Sequence, residues 1–295
     1  MKPADSSNAD DPSASPWNRF WFADVAWGDS LGLVKIGLAL TAFLYFASHW
    51  SDIGFWFGGD GVLSAGSVGG FLIDADLGGS VGWRLSPLYW IDSPAILRGY
   101  LLVGMGLAVA SGWVRQTRAV SVVLWLWVVW LANRSLLVSG LEDLVLAWGL
   151  GYLAIAPASK AGRPAWCGSL ARRLLQLHVS FLILATGLTM LSSLAWWDGT
   201  GVMAIVAPVE LRTIRWATIL SEPWLHEPLS HAVLIAALVS PILLWIAPTR
   251  KIGWGVATGW CVVLGLLSSH WIYFASVGVL VQSFRPFPVA DEVAE

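Results

Sequence analysis

Residues 119–157 read AVSVVLWLWVVWLANRSLLVSGLEDLVLAWGLGYLAIAP, two apolar runs with Asn133, Arg134, Glu142 and Asp143 set between them. Such runs suit helices surrounded by lipid, where every backbone N–H and C=O must pair within the segment itself. Each run is short for that task. Ala119 to Ala132 makes about 21 Å of helix at 1.5 Å per residue, and Leu144 to Pro157 the same, against a hydrocarbon core of roughly 30 Å. The helices must therefore extend into the polar stretch, drawing some of Asn133, Arg134, Ser135, Ser139, Glu142 and Asp143 below the headgroups, or the bilayer must thin. A charge without a partner costs ~2.5–3.5 kcal/mol or more at the centre of a spanning helix and less towards its edge. Arginine against a carboxylate relieves that cost, so Arg134 is expected to pair with Glu142 or Asp143. The alternative is a solvated hairpin whose charges stay in water.

The rest of the chain has the same character. Of 295 residues, 57% are hydrophobic and 12% charged, about half the charged share of a soluble domain. The 21 tryptophans fit a chain with two membrane–water interfaces to occupy. With 17 basic and 19 acidic side chains, no clustered positive charge points to nucleic acid. Cys167 and Cys261 lie far apart, without the spacing of a disulfide framework or a zinc site, so no metal is expected. Residues 1–15 are acidic, small and polar, with no basic n-region, and are expected to form a disordered tail. Insertion then relies on the first span, left uncleaved.

Ser15-Pro16 offers a helix cap followed by proline at the first helical position, and Trp17, Phe20, Trp21 and Val25 recur at helical spacing. This predicts a short helix lying in the bilayer interface. Length and apolarity then predict spans at Leu31–Trp50, Ala95–Trp113, Ala119–Asn133, Leu144–Pro157, Leu174–Leu194, Leu229–Ala247 and Gly253–Phe284. The last run is long and interrupted at Ser268-Ser269-His270, so one tilted span and two shorter helices are both open. The fold class expected is all-α, a polytopic transmembrane helical bundle of about seven spans with an amino-terminal interfacial helix. One domain is expected over 16–286, between the 1–15 tail and a 287–295 tail. Gly255-x-x-x-Gly259 suggests close helix approach, and Pro241 a kink.

The excess of lysine and arginine falls on the amino end and the even-numbered loops, with Arg115, Arg118, Lys160, Arg163, Arg172, Arg173, Arg250 and Lys251 among them. The positive-inside rule puts that side in the cytoplasm, so the expected location is the cell (inner) membrane. The loop Ser51–Pro94 and the polar turn at Arg134 then face outward. From Gly58 to Gly82 nine of 25 residues are glycine, which predicts a compact turn presenting Asp60. No GK[ST] follows, so it is not a phosphate cradle of the P-loop type. A flexible loop and a lid over the polar turn are the two readings. His270, inside the last apolar run, is either a functional imidazole or a neutral one bonded to a neighbour. His226-Glu227-Pro228-Leu229-Ser230-His231 fails the HExxH zinc spacing by one residue, with proline inside.

In order along the chain, the FGGDGVL turn at 57–63, Gly112 with Thr117-Arg118, NRSLLVSGLEDL at 133–144, and Leu175-Gln176, Gly187 and Trp197-x-Gly199 form a pattern. It resembles the horizontally transferred transmembrane (HTTM) domain family, related to the membrane part of vitamin K-dependent gamma-carboxylase, over roughly Leu31 to Phe284. The resemblance implies a helical bundle working on its lumenal or outer side. It also implies a polar segment of Asn-His-Ser type at Asn133-Arg134-Ser135, with arginine in place of histidine. The carboxylase's base is a lysine just before the Trp-x-x-Gly-like element, whereas Thr189 and Met190 stand there in this chain. Neither titrates as a base, so carboxylation by that route is not expected.

The function expected is therefore that of a multi-pass protein holding a small hydrophobic ligand, lipid-like or quinone-like, in an outer-facing polar cavity. Asn133, Arg134, Glu142, Asp143, Asp60 and His270 are its candidate ligand-binding residues, with no catalytic residue or reaction assigned. The rival is a non-catalytic scaffold or assembly factor that docks another envelope protein.

Overall fold

The computed structural model describes residues 15–22, 30–68, 86–113, 118–135, 140–156, 166–206, 220, 222–268 and 270–285. Every regular element among them is helical. Helix α1 (Pro16–Phe22) begins as its sequence suggests, with the Asn18 N–H donating to Ser15 Oγ at 3.2 Å. Helices α2 (Ser30–Ser48), α4 (Pro94–Trp113), α7 (Trp166–Leu191) and α10 (Pro223–Trp245) are long and apolar enough to cross a membrane. Outward side chains such as Ile36, Leu40, Leu102, Phe181, Leu188, Ile235 and Ile242 are between 53% and 69% exposed. Apolar surface of this extent is stable in hydrocarbon and a liability in water.

The chain divides into two compact units, residues 35–168 and residues 1–34 with 169–295. The 35–168 unit comprises the rest of α2, a short α3 (Ile53–Phe57), α4, α5 (Arg118–Arg134) and α6 (Leu141–Ile155). At 17 and 15 residues, α5 and α6 span about 25 and 22 Å. Both reach into the polar stretch: Asn133 and Arg134 form the last turn of α5, Glu142 and Asp143 the first turn of α6. Arg118, at the start of α5, donates from Nε to the Ala154 carbonyl near the end of α6 at 3.0 Å, which fixes the pair as antiparallel.

Three hydroxyls bind one side of α5. Tyr100 donates to the Trp127 carbonyl, Ser86 Oγ to that of Trp130 at 2.7 Å and Tyr89 to that of Asn133 at 2.8 Å. The acceptors recur every three residues and so lie along one helix face. Tyr100 and Trp127 also stack, 4.6 Å between ring centres, and Trp127 Nε1 returns a bond to the Tyr100 carbonyl at 3.0 Å. In a medium without water these pairs replace solvent as partners for the helix carbonyls. The short turn Pro87–Trp90 that carries Tyr89 is capped by Ser86 Oγ, which accepts the Leu88 N–H at 3.3 Å.

The other unit holds α1, α7, α8 (Leu194–Trp197), α9 (Gly201–Val206), α10, α11 (Arg250–Leu267) and α12 (Trp271–Val281). The long last apolar run resolves into α11 and α12, separated at Ser268 and His270. His270 is exposed at that break, where its N–H donates to Ser268 Oγ at 3.3 Å, rather than deep in a continuous span. Helix α10 continues through Pro228 and Pro241. The Gly255/Gly259 pair marks no close helix contact among the described residues, where a Cβ at either would meet nothing within 4 Å. Close approach falls at Gly187 instead, where a Cβ would stand 3.1 Å from Ala237 Cβ of α10.

Candidate functional site

The polar turn between α5 and α6 is built around Arg134, whose residue exposure is 1%, the largest of the fully buried side chains. A guanidinium stays ionised, so its burial has to be offset by partners. Its Nη2 lies 3.4 Å from Asp92 Oδ1. The Phe57 ring covers it from another side, with the guanidinium carbon 5.5 Å from the ring centre. Arg134 Nε and Nη1 are buried and meet no hydrogen-bond partner among the described residues.

This differs from the expected pairing with Glu142 or Asp143. Asp92, 42 residues upstream and just before α4, takes that place. Asp143 is already committed locally: its Oδ2 accepts the Gly140 N–H at 3.1 Å, closing the start of α6. Acidic side chains are favoured at a helix N-terminus, where unpaired N–H groups concentrate. That local bond holds Asp143 on its own helix.

Asp92 also binds the Gly-rich loop, since Oδ1 accepts the Ala65 N–H at 2.7 Å. The loop before it is a compact turn: Val62 N–H donates to the Phe55 carbonyl at 3.1 Å, Leu63 N–H to that of Trp56 at 2.7 Å, and Gly61 N–H to that of Gly58 at 2.8 Å. Phe57, at 1% exposure, is thereby set on Arg134. Asp60 is exposed on this turn, and no bond joins it to Arg134 among the described residues. The described part of the loop thus covers the arginine through Phe57, and Asp92 binds that loop at Ala65. Residues 69–85, the remainder of the Gly-rich segment, lie outside the described residues.

A second polar group gathers at the start of α6. Asp143 is 4% exposed, and the fully buried Tyr45 hydroxyl of α2 interacts with its carboxyl group. Its ring meets that of His49 edge-on, 4.8 Å between centres, and His49 Nδ1 is 2.8 Å from the Tyr45 carbonyl. Glu142 folds back so that a Cβ on Gly140 would overlap its carboxylate, and its Oε2 is buried without a hydrogen-bond partner among the described residues. Two carboxyl groups, a phenol and an imidazole therefore share one end of the 35–168 unit. Arg134 offers donors and no acceptor, whereas Glu142 and Asp143 offer acceptors or protons.

Family models, curated proteins and solved structures give no match to this chain.

Of the residues singled out in the sequence, Asn133, Arg134, Glu142 and Asp143 stand at the facing ends of α5 and α6, and Asn133 contributes its carbonyl to Tyr89. His270 belongs to the other unit. There Thr189 Oγ1 donates to the Ala185 carbonyl at 2.9 Å. His226 and His231 sit near different carbonyls, Leu220 at 2.9 Å and Trp197 at 3.2 Å. No group of three His, Cys, Asp or Glu among the described residues is placed to hold a metal. Asp92, Phe57, Tyr89, Tyr45 and His49 were not foreseen. The signals for two of them were present: Ser86-Pro87 and Asp92-Ser93-Pro94 both read as helix or turn starts, each with a side-chain acceptor ready to be used.

Proposed function

We propose that this chain is a seven-span protein of the inner membrane, amino end in the cytoplasm and α1 along the bilayer surface. In this reading the end of the 35–168 unit that carries Arg134, Asn133, Glu142 and Asp143 faces outward and receives a lipid-like or quinone-like molecule. The single observation that carries the reading is Arg134, buried with one long contact to Asp92 and two nitrogens unpaired. Ionisable groups at membrane depth are expensive and are retained where they serve a ligand or ion. A buried arginine with a purely structural role would be expected to have its donors filled by carbonyls or carboxylates. Glu142 Oε2, also buried and without a hydrogen-bond partner among the described residues, supports the same reading. The resemblance to the HTTM family points to the same outward end, and the same departure at Thr189 and Met190 argues against carboxylation.

Extraction in a mild detergent followed by mass spectrometry of the co-purifying small molecules tests this. A lipid or quinone retained by the natural chain and lost from folded Arg134→Gln is the expected result. A stoichiometric protein partner with no retained small molecule would replace this reading with that of a scaffold.

A further inference from the structure

We infer that Arg134 is the receptor for a phosphate group, and that Asp92 occupies the phosphate's place until the ligand arrives. This rests on the ligand-binding reading above and names the chemical class that the site selects. A guanidinium presents five N–H donors and no acceptor, so whatever completes its shell must bring oxygen acceptors and, in a site this dry, negative charge. Phe57 covers Arg134 with a ring, which offers neither a hydrogen-bond acceptor of that kind nor a full charge. Asp92 supplies a single oxygen at 3.4 Å, outside the 2.7–2.9 Å range of a tight charge-assisted bond, and that oxygen is already shared with the Ala65 N–H at 2.7 Å. The Asp92 side chain is 36% exposed while that of Arg134 is sealed. An anion therefore approaches along Asp92 and exchanges with it, leaving Asp92 on Ala65.

Placement favours phosphate among oxyanions. Arg134 ends a helix of 17 residues whose other end is Arg118, about 25 Å away along the axis, so each arginine stands where hydrocarbon gives way to headgroups. At that depth phosphate is the abundant anion of a bilayer. Lipid headgroup and free phosphate share this chemistry, and they differ in whether an acyl chain is needed.

The test uses the full chain purified in a neutral detergent, with binding read by thermal stabilisation and titration. The probes are dihexanoyl phosphatidic acid, dihexanoylglycerol, decylubiquinone and inorganic phosphate. Phosphatidic acid is expected to bind, and dihexanoylglycerol not to. Arg134→Gln should weaken binding roughly ten- to hundredfold, the range of one or two lost charge-assisted bonds. Asp92→Asn keeps an oxygen for the Ala65 N–H and removes the competing charge, so it should bind phosphatidic acid several-fold more tightly. Asp198→Asn, an exposed acid in the other unit, should leave affinity unchanged. The Asp92→Asn arm decides the matter if Arg134→Gln fails to fold. Inorganic phosphate binding with the same response to Asp92→Asn also supports the assignment and identifies a free ion as its source. Decylubiquinone or dihexanoylglycerol binding, with phosphatidic acid no better and Asp92→Asn neutral, overturns the phosphate assignment and leaves the ligand-binding reading intact. Failure of every probe, with no small molecule retained on purification, overturns both.

Discussion

Gly104 gives the most quantitative check on the packing that supports the polar end. It lies on α4 against Phe46 of α2, and a Cβ there would fall 2.9 Å from two ring carbons and 3.0 Å from a third. Carbon atoms prefer about 3.5–4.0 Å, so the ring must retreat by roughly 0.5–1 Å. Phe46 is completely buried, so its ring can retreat only into other packed side chains or a void between them. Overpacking of this size costs about 1–3 kcal/mol. Against that, alanine gains up to about 1 kcal/mol over glycine in a helix interior. Gly104→Ala is therefore expected to destabilise by about 0–2 kcal/mol. Gly106, two residues further along the same helix, is exposed, and a Cβ there would meet nothing within 4 Å. Gly106→Ala should show only the helical gain, which places the two variants about 1–3 kcal/mol apart. The difference is measured by denaturant titration in mixed micelles, with both proteins in one detergent so that its effect cancels. Equal stability, or a more stable Gly104→Ala, would mean that Phe46 does not pack on α4 as described.

Ser86→Ala removes both the cap on the Leu88 N–H and the bond to the Trp130 carbonyl, and should cost about 1–3 kcal/mol in the same titration. Gly199 has φ of 76° and its Cβ position lies 3.0 Å from the Glu227 Cα, so Gly199→Ala meets backbone as well as left-handed strain; a loss of about 2 kcal/mol or more is expected. With Cys167 and Cys261 replaced by serine, a cysteine at exposed Ser67 should react with an impermeant maleimide added outside intact cells. Reaction only after the membrane is opened would reverse the proposed orientation.

Much of this architecture could be read from local chemistry. A run of apolar residues long enough to cross hydrocarbon specifies a helix by itself, and the 30–48, 94–113 and 223–245 helices fall where that rule puts them. The helices at 118–134 and 141–155 include Asn133, Arg134, Glu142 and Asp143, as one of the two readings of their short apolar runs expected. Partnership was harder to read. Charge chemistry pointed to Glu142 or Asp143 for Arg134, but Asp143 closes its own helix through Gly140, and the arginine is met by an acid brought in from before α4. Such a choice depends on how the loop at 51–68 folds back, which no periodicity encodes. The Gly255/Gly259 spacing misled for a related reason: small residues permit close helix contact but do not determine which face meets a neighbour. His270 stood in an apolar run by composition, whereas the break between α11 and α12 leaves it exposed.

The central claim is that Arg134 is buried in order to meet a ligand. A density map of the full chain reconstituted in native lipid nanodiscs tests it most directly. The account predicts non-protein density within hydrogen-bonding distance of the guanidinium, with Asp92 turned towards Ala65. A guanidinium whose Nε and Nη1 are instead filled by carboxylates or carbonyls of the chain itself would contradict it.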